Sequence, residues 1–161
     1  MRLFLASFFS IPPYENILQD FSDCATGTWV RPDQLHVTYF FLGDHYKPGD
    51  VLSCLPDIGP IHQSVTIRGM GQFGKRVLFL KCQPEAVFQR IYASISASLS
   101  PFNMKLNRPF KPHLTICRMK AILQDRFRQK IREYRETVFT SVLEFNVVLV
   151  SSQLSQQGPE Y

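Results

Sequence analysis

Cysteine is scarce and scattered: Cys24, Cys54, Cys82 and Cys117 form no C-x-x-C pair. That spacing excludes a zinc site of the finger or ribbon kind and a small disulfide scaffold, leaving reduced, partly buried thiols as the expectation. No apolar run approaches the ~20 residues that a membrane-spanning helix needs. The apolar opening, residues 2–11, lacks a basic leading region and a small-x-small cleavage site and runs into Pro12-Pro13. A core strand of a cytoplasmic protein is expected there, not a signal peptide. No G-x-x-x-x-G-K-[ST] stretch occurs, and Gly69, Gly71 and Gly74 lack the strand, turn and helix of a phosphate loop, so they read as turn glycines. Acidic residues are the other shortage, 13 Asp+Glu against 18 Lys+Arg, for a net charge of +5. The excess is concentrated in residues 101–136, where basic side chains outnumber Asp125, Glu133 and Glu136 by ten to three. A basic segment favours an anionic partner, with phosphates the leading candidate, or is simply a solvated helix.

What is present is ordinary for a globular chain: 161 residues, 45% hydrophobic and 19% charged. That length predicts one domain over residues 1–161, or two small lobes sharing a core. Residues 2–9 read as a buried strand, and Tyr14, Ile17, Leu18 and Phe21 fall at the i, i+3, i+4, i+7 spacing of an amphipathic helix with Pro12 or Pro13 near its first turn. Thr26-Gly27-Thr28 reads as the end of that helix, and a strand follows over 35–42. Residues 47–63, with Pro48, Pro56 and Pro60, read as loop around one short helix near 51–55. Short strands over 65–68 and 77–81 flank the glycine-rich turn. A second helix carries Phe88, Ile91, Ile95 and Leu99 on one stripe, a strand covers 113–119, a third helix 123–136, and strands 138–142 and 145–152 precede a polar tail.

Across this order one element occurs twice: R-P-x-x-x-H-Φ-T, with Φ aliphatic. The first copy is Arg31, Pro32, His36, Val37 and Thr38; the second is Arg108, Pro109, His113, Leu114 and Thr115. With strand, helix, loop and motif strand in each half, it indicates a weak internal duplication. In a flat strand His36, Thr38 and Phe40 share one face and Val37, Tyr39 and Phe41 the other. Two strands facing each other would converge two imidazoles and two hydroxyls on one site. Neither copy has the neighbouring ligands a metal site wants, and a threonine beside its own histidine points alongside it, which disfavours nucleophilic catalysis. Paired general acid and base remains, since an imidazole titrates near ~6.5 and one can be neutral while the other is protonated. His45 and His62 have no such setting.

His36-Val37-Thr38 and His113-Leu114-Thr115 resemble the two H-x-T signatures of the 2H phosphoesterases. The flanks, Trp29-Val30-Arg31-Pro32, Leu42-Gly43-Asp44, Arg108-Pro109-Phe110-Lys111-Pro112-His113 and Gly158-Pro159, are similar to the RNA 2',3'-cyclic phosphodiesterases, also called 2'-5' RNA ligases. The resemblance implies a bilobal α/β fold of α+β type, with two antiparallel sheets lining a central cleft and helices outside. It implies metal-free, cofactor-free hydrolysis of a 2',3'-cyclic phosphate on RNA ends or nucleotides to a 2'-phosphomonoester. His36 would be the general acid and His113 the general base, with Thr38, Thr115 and Arg118 on the phosphate oxygens. Arg118 lies at odd spacing from His113, so a bulge or the strand end must turn it into the site. Phe40 stands where many relatives carry a basic residue, and is expected to stack on a base or pack in the core; Phe73 is a second stacking candidate. ATP-independent 2'-5' ligation, turnover of a small cyclic nucleotide, and a non-catalytic RNA-binding module are the alternatives. The basic side chains Arg126, Arg128 and Arg132 are expected to meet a longer RNA, and a monomer is expected.

Overall fold

A computed structural model describes residues 1–12, 14–55, 58–102, 109–156 and 158–161. Of the residues singled out above, Pro13, Pro56 and Arg108 lie outside them. The fold is α+β, with four α-helices and a mostly antiparallel sheet among the described residues. The strands are β1 (Arg2–Phe8), β2 (Ala25–Trp29), β3 (His36–Gly43), β4 (Pro60–Ile61), β5 (Val65–Phe73), β6 (Val77–Gln83), β7 (His113–Ile122), β8 (Val138–Val142), β9 (Phe145–Asn146), β10 (Val148–Ser155) and β11 (Gly158–Glu160). The helices are α1 (Tyr14–Phe21), α2 (Pro48–Ser53), α3 (Glu85–Ser98) and α4 (Gln124–Glu133). Among the described residues, no helix is long and apolar enough to cross a membrane.

The main sheet has nine strands in the order β11-β10-β1-β3-β7-β6-β5-β8, with β2 also paired on β7. The two separate sheets expected are therefore continuous here. Among the described residues their one pairing across the middle is Val37 on Leu114, both fully buried, so the halves join at a single antiparallel pair. The small β4-β9 ribbon stands apart.

Apolar periodicity explains most elements. Tyr14, Ile17 and Phe21 bury the stripe of α1, and Val87, Phe88 and Ile95 that of α3. Phe127 of α4 packs edge-on to Phe21 at 5.7 Å, within a core that includes Leu114, Cys117 and Met119 of β7. Burial at about 1.5–3 kcal/mol for each such side chain is the main stabilising term. Three expectations differ. Thr26-Gly27-Thr28 is the middle of β2, because Gly27 lets it lie flush on β7; a Cβ there would come within 2.8 Å of Met119 Cα. The strand expected to stop at residue 68 continues as β5 to Phe73, with Arg68-Gly69 bulged out opposite Lys81 and Gly69 at φ +77°. The polar tail is also part of the sheet, as β11 on β10.

Candidate active site

β3 and β7 carry the two motif copies, and each is bulged at the same place. On β3, Thr38 faces Ala6 and Phe40 faces Leu5, so Tyr39 is the extra residue. On β7, Thr115 faces Phe79 and Cys117 faces Leu78, so Ile116 is the extra residue. Both strands then show one burial sequence from the histidine onward: half-buried, buried, half-buried, buried, buried, exposed, buried. Val37 and Leu114 point into the core, which sends His36, Thr38, His113 and Thr115 to the opposite face of the sheet. The bulge returns the fifth residue after each histidine to that face. Arg118 is thereby returned to the face of His113, within electrostatic reach of it. The α1 residue Tyr14 braces this bulge: its hydroxyl donates to the Val30 carbonyl and, at 3.1 Å, to the carbonyl of Ile116.

The same displacement corrects the face assigned to the phenylalanines. Phe40 is 3% exposed and stacks flat on Tyr92 of α3 at 4.6 Å, 4° from parallel, so it belongs to the core rather than the site. Phe41 is 69% exposed and occupies on β3 the position Arg118 holds on β7. Its signal was present in the sequence, because each lies five residues after its histidine. Phe73 does reach the site, with its ring edge-on to His113 at 4.9 Å.

Each imidazole is held in the same way. His36 Nδ1 lies 2.6 Å from the Gln34 carbonyl and His113 Nδ1 2.7 Å from the Lys111 carbonyl, two residues upstream in both cases. A carbonyl only accepts, so Nδ1 carries a proton in both rings and Nε2 is the nitrogen left for chemistry. Burial pushes both imidazoles below their ordinary pKa, opposed in each by the hydrogen bond to the carbonyl. The Arg118 charge lowers both further, His113 adds to the effect on His36, and Lys111 to that on His113. Arg118 therefore sits within electrostatic reach of both rings.

The approach to each histidine is built from residues the motif does not contain. Gln34, largely buried, donates Nε2–H to the Pro159 carbonyl at 2.8 Å and ties β11 beside His36. That brings Tyr161 edge-on to His36 at 5.4 Å, alongside Phe4 at 5.2 Å and Phe8 at 5.3 Å. On the other side Gln89 of α3 donates to the Phe110 carbonyl at 2.6 Å, and Tyr92 stacks on Phe110 at 4.4 Å, fixing the segment that enters β7. Phe79 lies over the room left by Gly71, where a Cβ would come within 2.6 Å of the ring, and meets His113 at 5.5 Å. Arg31 is turned away onto Asp33 at 2.7 Å. Among the described residues no three His, Cys, Asp or Glu side chains gather as a metal site would. An apolar hollow lined by Leu55, Ile58, Ile61, Ile91, Ile95 and Val147 touches neither histidine.

An α+β sheet that sets two H-x-T strands side by side, each histidine with Nε2 unpartnered among the described residues, is the framework of a 2H phosphoesterase. The chain belongs to the 2'-5' RNA ligase superfamily, whose family model matches residues 16–151. It is 29% identical to a Methanocaldococcus jannaschii protein named RNA 2',3'-cyclic phosphodiesterase, over 100% of this chain and 96% of that one. It is 28% identical to an Aquifex aeolicus protein of the same name, over 84% of this chain and 78% of that one. Among solved structures, TT0787 of Thermus thermophilus superposes with a TM-score of 0.76 at 26% identity, covering 100% of this chain and 93% of its own. Escherichia coli LigT complexed with NADP+ shares the fold, with a TM-score of 0.67 at 22% identity over 99% of this chain and 92% of its own.

Proposed function

We propose that this protein is an RNA 2',3'-cyclic phosphodiesterase, hydrolysing a cyclic phosphate at an RNA end to the 2'-phosphomonoester without metal or cofactor. The observation that carries this is the pair of imidazoles on one face, both with Nδ1 fixed on a carbonyl and Arg118 acting on both. Water attacks phosphorus and gives its proton to His113 Nε2. The bond from phosphorus to O3' breaks, and O3' takes a proton from His36 Nε2. Attacking and leaving oxygens lie at opposite apices of the transition state, so acid and base must stand on two sides of it. The continuous sheet serves as two walls of a cleft if its halves fold toward each other about the Val37–Leu114 pair. Thr38, Thr115 and Arg118 take the equatorial oxygens. Phe41 offers a ring face to a base, while the Phe73 ring, edge-on to His113, carries the Lys111 ammonium over it. The matching bulges support one bilobal unit made by internal duplication; a cytoplasmic monomer completes the reading.

A 5'-hydroxyl in place of the water would turn the same site to 2'-5' ligation, the activity in the superfamily's description. The test is hydrolysis of a 2',3'-cyclic mononucleotide by wild type, His36→Ala and His113→Ala, with and without chelator. Each substitution is expected to cost ~10²-fold or more, with no effect of chelator. Full activity in either variant refutes the acid and base assignment, and activity abolished by chelator refutes the metal-free mechanism.

A further inference from the structure

The two histidines have equivalent frames but unlike surroundings. Around His36 the site face carries Phe4, Phe8, Phe41 and Tyr161, rings without charge. Around His113 it carries cations. Lys81 is the direct cross-strand partner of His113, so the two side chains leave the sheet on the same face. The Lys111 ammonium lies over the rings of Phe73 and Phe79, at 5.6 and 5.9 Å from their centroids. Arg118 follows on β7, and Lys75 and Arg76 form the exposed tip of the β5–β6 hairpin beyond Phe73.

These cations have no carboxylate partner, as is also true of Arg128 and Arg132 on α4 among the described residues. Carboxylates pair with Arg31, Arg68, Arg126, Lys130 and Arg135. Among the described residues none lies within salt-bridge distance of Lys81, Lys111 or Arg118. Helix α4, expected from its charge to meet RNA, is on the other side: Phe127 seats it on the core face of the sheet, behind the histidines. Its Arg126 is paired with Asp23 and its Lys130 with Glu133.

A 2',3'-cyclic phosphate carries one negative charge, and Arg118 matches it. Lys81 and Lys111 are surplus for a mononucleotide, and clustering them near a catalytic imidazole is electrostatically unfavourable unless further phosphates arrive. Resting on the function proposed above, we propose that the site is built for the end of a single-stranded oligoribonucleotide. The next phosphodiesters run along β6–β7 over Lys81 and Lys111, and the terminal base turns to the aromatic wall at His36. Phosphates and bases are thus sorted to opposite sides of the cleft.

Each phosphate contact on a single strand contributes about 0.7 to the slope of log affinity against log salt. The experiment measures kcat/KM at several salt concentrations for a 2',3'-cyclic mononucleotide and for a single-stranded hexaribonucleotide ending in the cyclic phosphate. A parallel arm measures binding of the 2'-phosphate-ended hexamer by fluorescence anisotropy. Lys81→Gln and Lys111→Gln are expected each to lower the hexamer slope by about 0.7. The ratio of hexamer to mononucleotide kcat/KM should fall several-fold in both. Arg128→Gln on α4 is expected to change neither substrate's turnover. Slopes and ratio unchanged by both lysine substitutions, or lowered as much by Arg128→Gln, overturn the path. Wild type that hydrolyses neither substrate, yet binds the hexamer through Lys81 and Lys111, overturns the hydrolytic function and keeps the path.

Discussion

Phe40 and Phe41 are adjacent and chemically identical, and the bulge at Tyr39 decides which of them is buried. Phe40→Ala removes a ring 3% exposed and stacked on Tyr92, which is itself stacked on Phe110. A buried Phe→Ala costs about 3–5 kcal/mol, because the cavity is only partly refilled. In a chain of this length, at about 2–4 °C per kcal/mol, Tm should fall by roughly 6–20 °C. Phe41→Ala removes a ring 69% exposed whose nearest aromatic partner is Phe4 at 6.0 Å. Its effect on stability should stay below about 1 kcal/mol. Stacking on a base is worth about 1–3 kcal/mol, so kcat/KM for a cyclic nucleotide should drop roughly 5- to 150-fold, chiefly through KM. Urea denaturation with the m-value compared between variants separates the first effect, and steady-state kinetics at 25 °C the second. A Phe41→Ala protein several kcal/mol less stable, beside a Phe40→Ala protein that keeps its stability and loses substrate affinity, would refute the bulged register.

Two further outcomes follow from the same geometry. Tyr14→Phe removes the hydroxyl that braces Ile116 and should cost about 1 kcal/mol of stability, since Val30 N–H still donates to that carbonyl at 2.9 Å. If Tyr14 acts through Arg118, its effect on kcat/KM should vanish in an Arg118→Ala background; additive losses would deny the coupling. Both imidazoles have folded pKa values below the ordinary one, by burial first, then by Arg118 at His36 and by Lys111 and Arg118 at His113. The kcat/KM profile, which reports the free enzyme, should therefore peak below pH ~6.5, and Arg118→Gln should move both limbs upward. By the same sign the unfolded chain binds protons first as pH falls, so stability declines from about pH 6.5 toward the folded pKa values. A maximum above pH ~7 in wild type would contradict this account.

The helices were legible because their apolar spacing is regular. The histidines were legible because a two-copy motif with fixed offsets carries information that one residue lacks. Bulges were not, since an extra residue is defined only against its partner strand: Tyr39 against β1 and Ile116 against β6. The odd spacing of Arg118 announced one of them, and the equal spacing of Phe41 was the matching clue on β3. Glycines misled in both directions. Gly27 and Gly69 resemble turn residues locally, yet one admits a close strand and the other a bulge. Tyr161 and Lys81 reach the histidines only through tertiary pairing, which no local pattern encodes.

The duplicated motif leaves open which histidine gives the proton, and the neighbouring charges supply a physical ground for the choice. Both rings have the same bond from Nδ1 to a carbonyl and burial as the leading cause of depression, and they differ in the fixed cations that act on them. Lys111 and Arg118 both oppose protonation of His113. On His36 the fixed cation acting is Arg118, and the remaining effect comes from His113 itself. Once His113 is neutral that contribution disappears, so a proton shared by the pair is displaced toward His36. The rings of Phe4 and Phe8, tilted at 38° and 44° to His36, present π-density to an imidazolium where Lys111 presents charge. In the proposed reaction His113 would then accept a proton from water and His36 donate one to the leaving oxygen. On that reading two strands made alike by sequence take unlike tasks from their neighbours, with Lys111 and Lys81 on one side and four aromatic rings on the other.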